Sequence, residues 1–131
     1  MKGEDCIFCK IVNNEISRDE IYEDGHCIAM LDKFPATKGQ SLVISKKHIP
    51  YIFDLDDDTY NHLFKITKKI SKAIDKTLKP KRICIMVEGF DIPHTHIRIH
   101  PTYGKGIERN GKEISREESK SLTKQIKDNL K

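Results

Sequence analysis

The sequence has no tryptophan, and its aromatic content is only 7% of 131 residues. It also has no apolar run near the roughly 20 residues that a membrane-spanning helix needs, so no membrane partner is expected. The N-terminus lacks the apolar core of a secretory signal, which points to the cytoplasm. Charge of one sign is lacking too: 24 basic against 20 acidic residues leave +4, and the excess is spread along the chain instead of forming one dense block. Such a balance suits attraction to phosphate groups, but no nucleic-acid partner is expected from it. There is no internal repeat and no low-complexity segment, and the length suits one domain over residues 1–131. Cysteine is sparse, at positions 6, 9, 27 and 84. Those four can in principle form two disulfides. In a cytosolic chain the close pair Cys6 and Cys9 reads more naturally as metal ligation, with Cys27 and Cys84 as buried thiols in apolar strands.

The chain is organised around Asp91 to Pro101. His94, His96, Arg98 and His100 share one parity there, while Thr95, Ile97 and Ile99 share the other. This is the period of a strand with one buried face, and a helix would scatter the histidines around its axis. Pro93 and Pro101 are read as the strand's limits. Side chains two apart on a strand stand roughly 6.5 to 7 Å from one another, so one phosphate or metal ion can touch two neighbours of the row. Four such polar groups in register repel one another when protonated, which packing alone does not favour.

Four more strands are expected, at Ile21 to Glu23, Cys27 to Leu31, Ser41 to Ile44 and Arg82 to Val87, with Asp24-Gly25 as a hairpin signal between the first two. Acidic residues at 54, 56, 57 and 58 stand where a helix begins, and Tyr60, Leu63, Phe64, Thr67, Ile70 and Ile74 follow at helical spacing. Lysines fill its other faces, and those late in the helix suit its dipole. His62 lies off the apolar stripe and reads as a solvated surface residue. Ser115-x-x-Glu118 is a capping-box pattern opening a C-terminal helix over 115–131. The pattern is α+β: a five-stranded antiparallel sheet with one long helix packed on it, a short helical knuckle in residues 1–15 and the C-terminal helix.

The row itself reads His94-Thr95-His96-Ile97-Arg98-Ile99-His100, and here the chain resembles the histidine triad family of nucleotide hydrolases and transferases. The family motif is His-x-His-x-His-x-x with apolar x, so two of the three histidines match and Arg98 stands in the third place. Further family-like pieces follow in order at Cys6 to Ile11, Ala29 to Asp32 with Pro35, Lys38 to Ile44, Lys47-His48 and Tyr103 to Gly106. The resemblance covers nearly the whole chain and is nearest to a zinc-binding bacterial branch related to purine nucleoside phosphoramidases.

That resemblance implies a mechanism. His96 is the expected nucleophile, forming a covalent nucleotidyl-histidine that water then hydrolyses, with His94 and Arg98 completing the catalytic set. Neutral imidazole can attack phosphorus through its in-plane lone pair, provided that its other nitrogen gives its proton to an acceptor such as a main-chain carbonyl. Arg98 can grip phosphate oxygens but cannot usefully give and retake a proton, so it favours binding or good leaving groups, and His100 is the candidate to take over proton work. Asp32 matches the family's ribose-binding carboxylate, Ile7, Phe8, Ile11, Met30 and Leu31 match the walls around a purine base, and Arg98 also counts as a substrate contact. Lys33, Val87 and the short segment 88–91 depart from many relatives.

Cys6-x-x-Cys9 supplies half of a tetrahedral zinc site from its spacing alone. The resemblance selects His48 and His94 as the other two ligands, which makes the zinc structural because no open position remains. It also implies a homodimer. The leading expectation is a nucleotide phosphoramidase or nucleotidyl hydrolase acting on purine nucleotide conjugates. The alternatives are a dinucleoside polyphosphate hydrolase and a zinc-stabilised nucleotide-binding module with little catalysis.

Overall fold

Alternating side chains of β-branched and apolar type build the sheet, and the register decides which of them face the long helix. The computed structural model describes residues 5–130. Residues 1–4 of the expected knuckle and residue 131 of the C-terminal helix lie outside that range. Strands β1 (Glu20–Glu23), β2 (Cys27–Leu31), β3 (Ser41–Ser45), β4 (Arg82–Met86) and β5 (His96–Thr102) form one sheet. Their spatial order is β1-β2-β3-β5-β4, and every neighbouring pair is antiparallel. Helix α1 (Ile7–Val12) precedes the sheet, α2 (Asp57–Leu78) lies between β3 and β4, and α3 (Arg116–Asp128) follows β5. The architecture is the expected α+β arrangement.

Both central strands, β2 and β3, are buried at every position. Their alternation survives as a division between two cores. Ala29, Val43, Ile97 and Ile99 join Leu63, Ile70 and Ile74 of α2 on one face. Ile28, Met30, Leu42 and Ile44 pack with Phe8 and Ile11 of α1 on the other. Full burial of each such side chain contributes about 1.5 to 3 kcal/mol. The pairing Ile44↔His96 and Leu42↔Arg98 puts the polar row on the α1 face, because residues directly opposite across antiparallel strands share a face.

Helix α2 begins where the acidic cluster predicted it. The Asp56 side chain accepts the main-chain N–H of Thr59, and Asp57 and Asp58 occupy the first turn. Its C-terminal cap, Lys79, takes the left-handed conformation at φ 50°. At α3 the Ser115 hydroxyl accepts from the N–H of Glu118, and Leu122 and Ile126 are buried.

Three expectations need correction. Pro101 does not end its strand: it pairs with Ile83, and β5 runs on to Thr102. Pairing with β3 has stopped at Ile99, and the Pro101 carbonyl points away from β4 to accept the Thr37 hydroxyl at 2.6 Å. Its missing N–H therefore faces a side with no strand to receive it. Cys27 is buried as expected, but Cys84 is only partly so because β4 is the edge strand. His62 is not a free surface residue, since its ring pairs with Asp24 at the β1–β2 turn.

Residues 103–115 contain no helix or strand and run back along the loop after β2. The N–H of Lys112 reaches Pro35 O at 3.4 Å, and that of Ile114 reaches Lys33 O at 3.0 Å. Gly111 allows this approach: a Cβ there would stand 1.9 Å from the Phe34 carbonyl oxygen.

Candidate active site and metal centre

Helix α1 carries Cys6 at its N-cap and Cys9 at its third residue, so one short element presents both sulfurs in the same direction. His48 comes from the loop after β3 and His94 from the residues just before β5. The donor atoms of all four lie within 4.8 Å of one another. Cys6 Sγ stands 3.3 Å and Cys9 Sγ 3.4 Å from His94 Nδ1, and His48 Nδ1 stands 3.1 Å from both Cys9 Sγ and His94 Nδ1. Such separations are those between corners of a tetrahedron around an ion bonded at about 2.0 to 2.3 Å. His94 Nε2 donates to the Ser45 carbonyl at 2.6 Å, which leaves Nδ1 with its lone pair toward the cluster, as a ligating histidine requires. Without a cation the set is poorly compensated: burial first, then the hydrogen bond and charge of Cys6, push the Cys9 thiol up to about 11. A dication between the sulfurs reverses those effects, so the residues fit a metal.

The two roles expected of His94 separate here. Its Nδ1 faces the cluster and its Nε2 donates to the Ser45 carbonyl, so its side chain has no ring nitrogen left for substrate. Its main chain, however, is part of the next site. The carbonyl oxygen of His94 accepts Nδ1–H of His96 at 2.7 Å, which is the acceptor behind the ring that a nucleophilic imidazole needs. Nε2 of His96 is then the lone-pair nitrogen. Burial is the main reason that His96 favours its neutral form, and the charge of Arg98 acts in the same direction. Phe8 packs edge-on against the ring with centroids 4.9 Å apart, holding it in place.

His96, Arg98 and His100 line one cavity of about 260 Å³ together with Gln40, Glu88 and Arg109. Arg98 is held loosely between two acids, its Nε 3.8 Å from Asp32 Oδ2 and its Nη1 3.8 Å from Glu88 Oε1. Arg109 approaches the same Glu88 oxygen at 3.6 Å. Arg98 Nε and His100 Nε2 are buried with no hydrogen-bond partner among the described residues. Burial, and then the charge of Arg98, favour neutral His100. The cavity thus offers a lone pair at His96 and unpaired nitrogens beyond it, an arrangement able to receive a phosphoryl group and what is attached to it.

A second cavity of about 400 Å³ has Ile7, Ile16, Met30, Ile114 and the two chain neighbours of Asp32, Leu31 and Lys33, among its walls. Asp32 itself is anchored: Oδ1 accepts the N–H of Phe34 at 3.0 Å and Oδ2 the amide of Gln40 at 2.9 Å. Each oxygen retains capacity for a further hydrogen bond. Of the five expected base-wall residues, Ile7, Met30 and Leu31 line this cavity. Phe8 and Ile11 line neither cavity and belong to the core behind them. Sequence reading missed Gln40, Glu88 and Arg109; the Gln40 side chain fell inside a recognised segment, but nothing in the residues around Arg109 marked it.

A model of the HIT domain matches residues 13–105. The chain is 37% identical over 109 residues to the Bacillus subtilis protein named Hit, covering 79% of this chain and 75% of that one. It is 32% identical over 135 residues to an adenosine 5'-monophosphoramidase of Schizosaccharomyces pombe, covering 96% and 98% respectively. Among solved structures, a hypothetical histidine triad nucleotide-binding protein from Sulfolobus tokodaii superposes with a TM-score of 0.86 at 32% identity, over 95% of this chain and 91% of that one.

Proposed function

The chain belongs to the histidine triad family, and on that premise we propose that it is a nucleotidyl hydrolase of the phosphoramidase type, acting on purine nucleotide conjugates through His96. The observation that carries this reading is the hydrogen bond from His96 Nδ1 to the His94 carbonyl, which turns the other ring nitrogen into a nucleophile beside a cavity that Arg98 and Arg109 line together with Glu88, Asp91 and Glu108. The purine occupies the cavity walled by Ile7, Met30 and Leu31, the ribose hydroxyls donate to Asp32, and the phosphoryl group sits between His96 and Arg98. Attack by Nε2 on phosphorus forms the nucleotidyl-histidine as the leaving group departs, and water then releases the nucleoside monophosphate. One domain spanning the chain carries these steps.

Zinc is the proposed ion at Cys6, Cys9, His48 and His94, because two thiolates and two imidazoles suit its borderline softness. Four protein ligands make it structural. A reducing compartment such as the cytoplasm suits this ligand set, since a Cys6–Cys9 disulfide would remove both sulfurs.

The direct test is turnover of adenosine 5'-phosphoramidate with mass spectrometry after an alkaline denaturing quench, which preserves the acid-labile P–N bond of a nucleotidyl-histidine. Release of AMP, with an adenylyl adduct on the peptide that contains His96, is the expected result. Binding without release and without adduct would leave only a nucleotide-binding module. A second reading, hydrolysis of dinucleoside polyphosphates, is favoured by Arg98, which stabilises anionic leaving groups but does not protonate amines. Relative rates on the phosphoramidate and on diadenosine polyphosphates decide between the two.

We also propose a homodimer formed through β4. This strand is an edge of the sheet, Ile85 on it is 44% exposed, and Phe90 just beyond it is 90% exposed. An unprotected edge beside apolar side chains is suited to pairing with a second copy. Light scattering at micromolar concentration should return twice the 15.2 kDa of one chain; a monomer mass there would rule the arrangement out.

A further inference from the structure

On the face of the sheet opposite His96, the β1–β2 turn meets the first turns of α2, and Asp24, Cys27 and His62 converge. One donor atom from each lies within 4.8 Å of the others. Asp24 is fixed over the turn because its Oδ1 accepts the main-chain N–H groups of His26 at 2.8 Å and Cys27 at 3.0 Å. Its Oδ2 accepts the Tyr22 hydroxyl at 2.7 Å and pairs with His62 Nε2 at 2.5 Å. Cys27 Sγ stands 3.6 Å from Oδ1. The sulfur lies in the buried core, whereas the His62 and Asp24 side chains are 28% and 21% exposed, so the group has an inner wall and an open side.

Tying α2 to the hairpin accounts for the pairing of His62 with Asp24. The thiol adds only a long hydrogen bond, Cys27 Sγ–H donating to Asp24 Oδ1 at 3.6 Å, in a place that an apolar side chain would also fill. A cation among the three groups would be attracted by thiolate and carboxylate at once, with the imidazole as a third donor within the same reach.

We propose that Asp24, Cys27 and His62 form a second metal site, which takes one borderline transition-metal dication of the zinc class through a carboxylate oxygen, a thiolate and an imidazole Nε2. The ligand chemistry is the mixed oxygen, sulfur and nitrogen set such ions accept. Binding exchanges protons for the ion and moves no electrons. Cys27 gives its thiol proton to solvent, and His62 presents Nε2 as a lone pair with its remaining proton on Nδ1. Asp24 keeps its Oδ1 contacts to the turn while Oδ2 turns from His62 to the metal. Thiolate and carboxylate together cancel the charge of the dication. Three protein ligands leave a fourth position open on the exposed side, where the His26 ring lies 5.0 Å from that of His62. This makes the ion exchangeable, unlike one enclosed by Cys6, Cys9, His48 and His94.

The test is a titration of the full chain, loaded first with one equivalent of zinc, with cobalt(II). Cobalt is the probe because its thiolate-to-metal absorption reports a bound cysteine. A second equivalent bearing that absorption is expected. His62→Ala and Cys27→Ser should each weaken it by at least about tenfold, and Tyr22→Phe, which removes the partner holding Asp24 Oδ2, by about tenfold. Repeating the titration on Cys9→Ala, which disables the first cluster, should leave the second equivalent unchanged, so the two sites are read separately. Cys27→Ser alters a core position; if it does not fold, His62→Ala decides. A folded wild-type protein that takes up no second equivalent, or a second equivalent indifferent to His62→Ala, overturns the proposal.

Discussion

Removal of the ion proposed at Cys6, Cys9, His48 and His94 should lower the melting temperature and the turnover together. The stability loss follows from connectivity: the ligands come from α1, from the loop after β3 and from the segment before β5, and among the described residues no disulfide ties these parts together. An ion held at a thousand times its dissociation constant contributes about 4 kcal/mol to a folded chain. For a chain of this length that is a fall in melting temperature on the order of 10 °C or more. The turnover loss has a separate cause. His94 offers its ring to the cluster and its carbonyl to His96, so freeing the ring unfastens the acceptor that orients the nucleophile. Cys9→Ala should reproduce both losses. Activity should fall even at temperatures where circular dichroism shows the sheet intact. Chelated protein that melts at an unchanged temperature, or protein purified without added metal that contains no zinc or comparable ion, would count against the site.

Much of this was legible in the sequence because strand periodicity is exact: the parity of His94 to His100 placed His96, Arg98 and His100 on one face before any coordinates. The Cys6-x-x-Cys9 spacing was equally informative, since two residues between thiols leave little freedom. What sequence could not supply was the neighbour on each side. Pro101 was misread because the proline rule concerns the strand beside it, and only the end of β3 pairing at Ile99 shows that side to be open. His62 was misread for a similar reason. A helical wheel locates it off the buried stripe but does not show that the β1–β2 turn lies over that position. Phe8 and Ile11 were assigned to a base pocket with Ile7, whereas one short helix turns Ile7 toward the cavity and the other two into the core. Arg109 escaped notice because residues 103–115 carry no period at all, their path being set by contacts with the loop after β2.

His96→Ala should abolish turnover while leaving nucleotide affinity largely intact, because Asp32 and the apolar cavity walls are untouched. Loss of a covalent nucleophile reads out as about four orders of magnitude or more in rate. Arg98 acts differently. Its Nε is buried without a hydrogen-bond partner among the described residues and Arg98 lines the cavity with His96, so under the proposed function a phosphate oxygen would supply that partner. Arg98→Ala should weaken binding of a phosphate-bearing ligand by about 1.5 to 3 kcal/mol, the range for a hydrogen bond to a charged group. Its neighbours Asp32 and Glu88, each 3.8 Å away, are too distant to replace that contact. Arg98→His restores a group able to carry a proton at the third place of the row. Across a series of leaving groups it should raise turnover most for poor ones such as amines, which need protonation, and least for phosphates and other stable anions. Steady-state rates on matched adenosine conjugates provide the measurement. If Arg98→His changes them all equally, protonation is supplied from elsewhere in the cavity. His100, buried and with Nε2 unpaired among the described residues, is then the group to replace next.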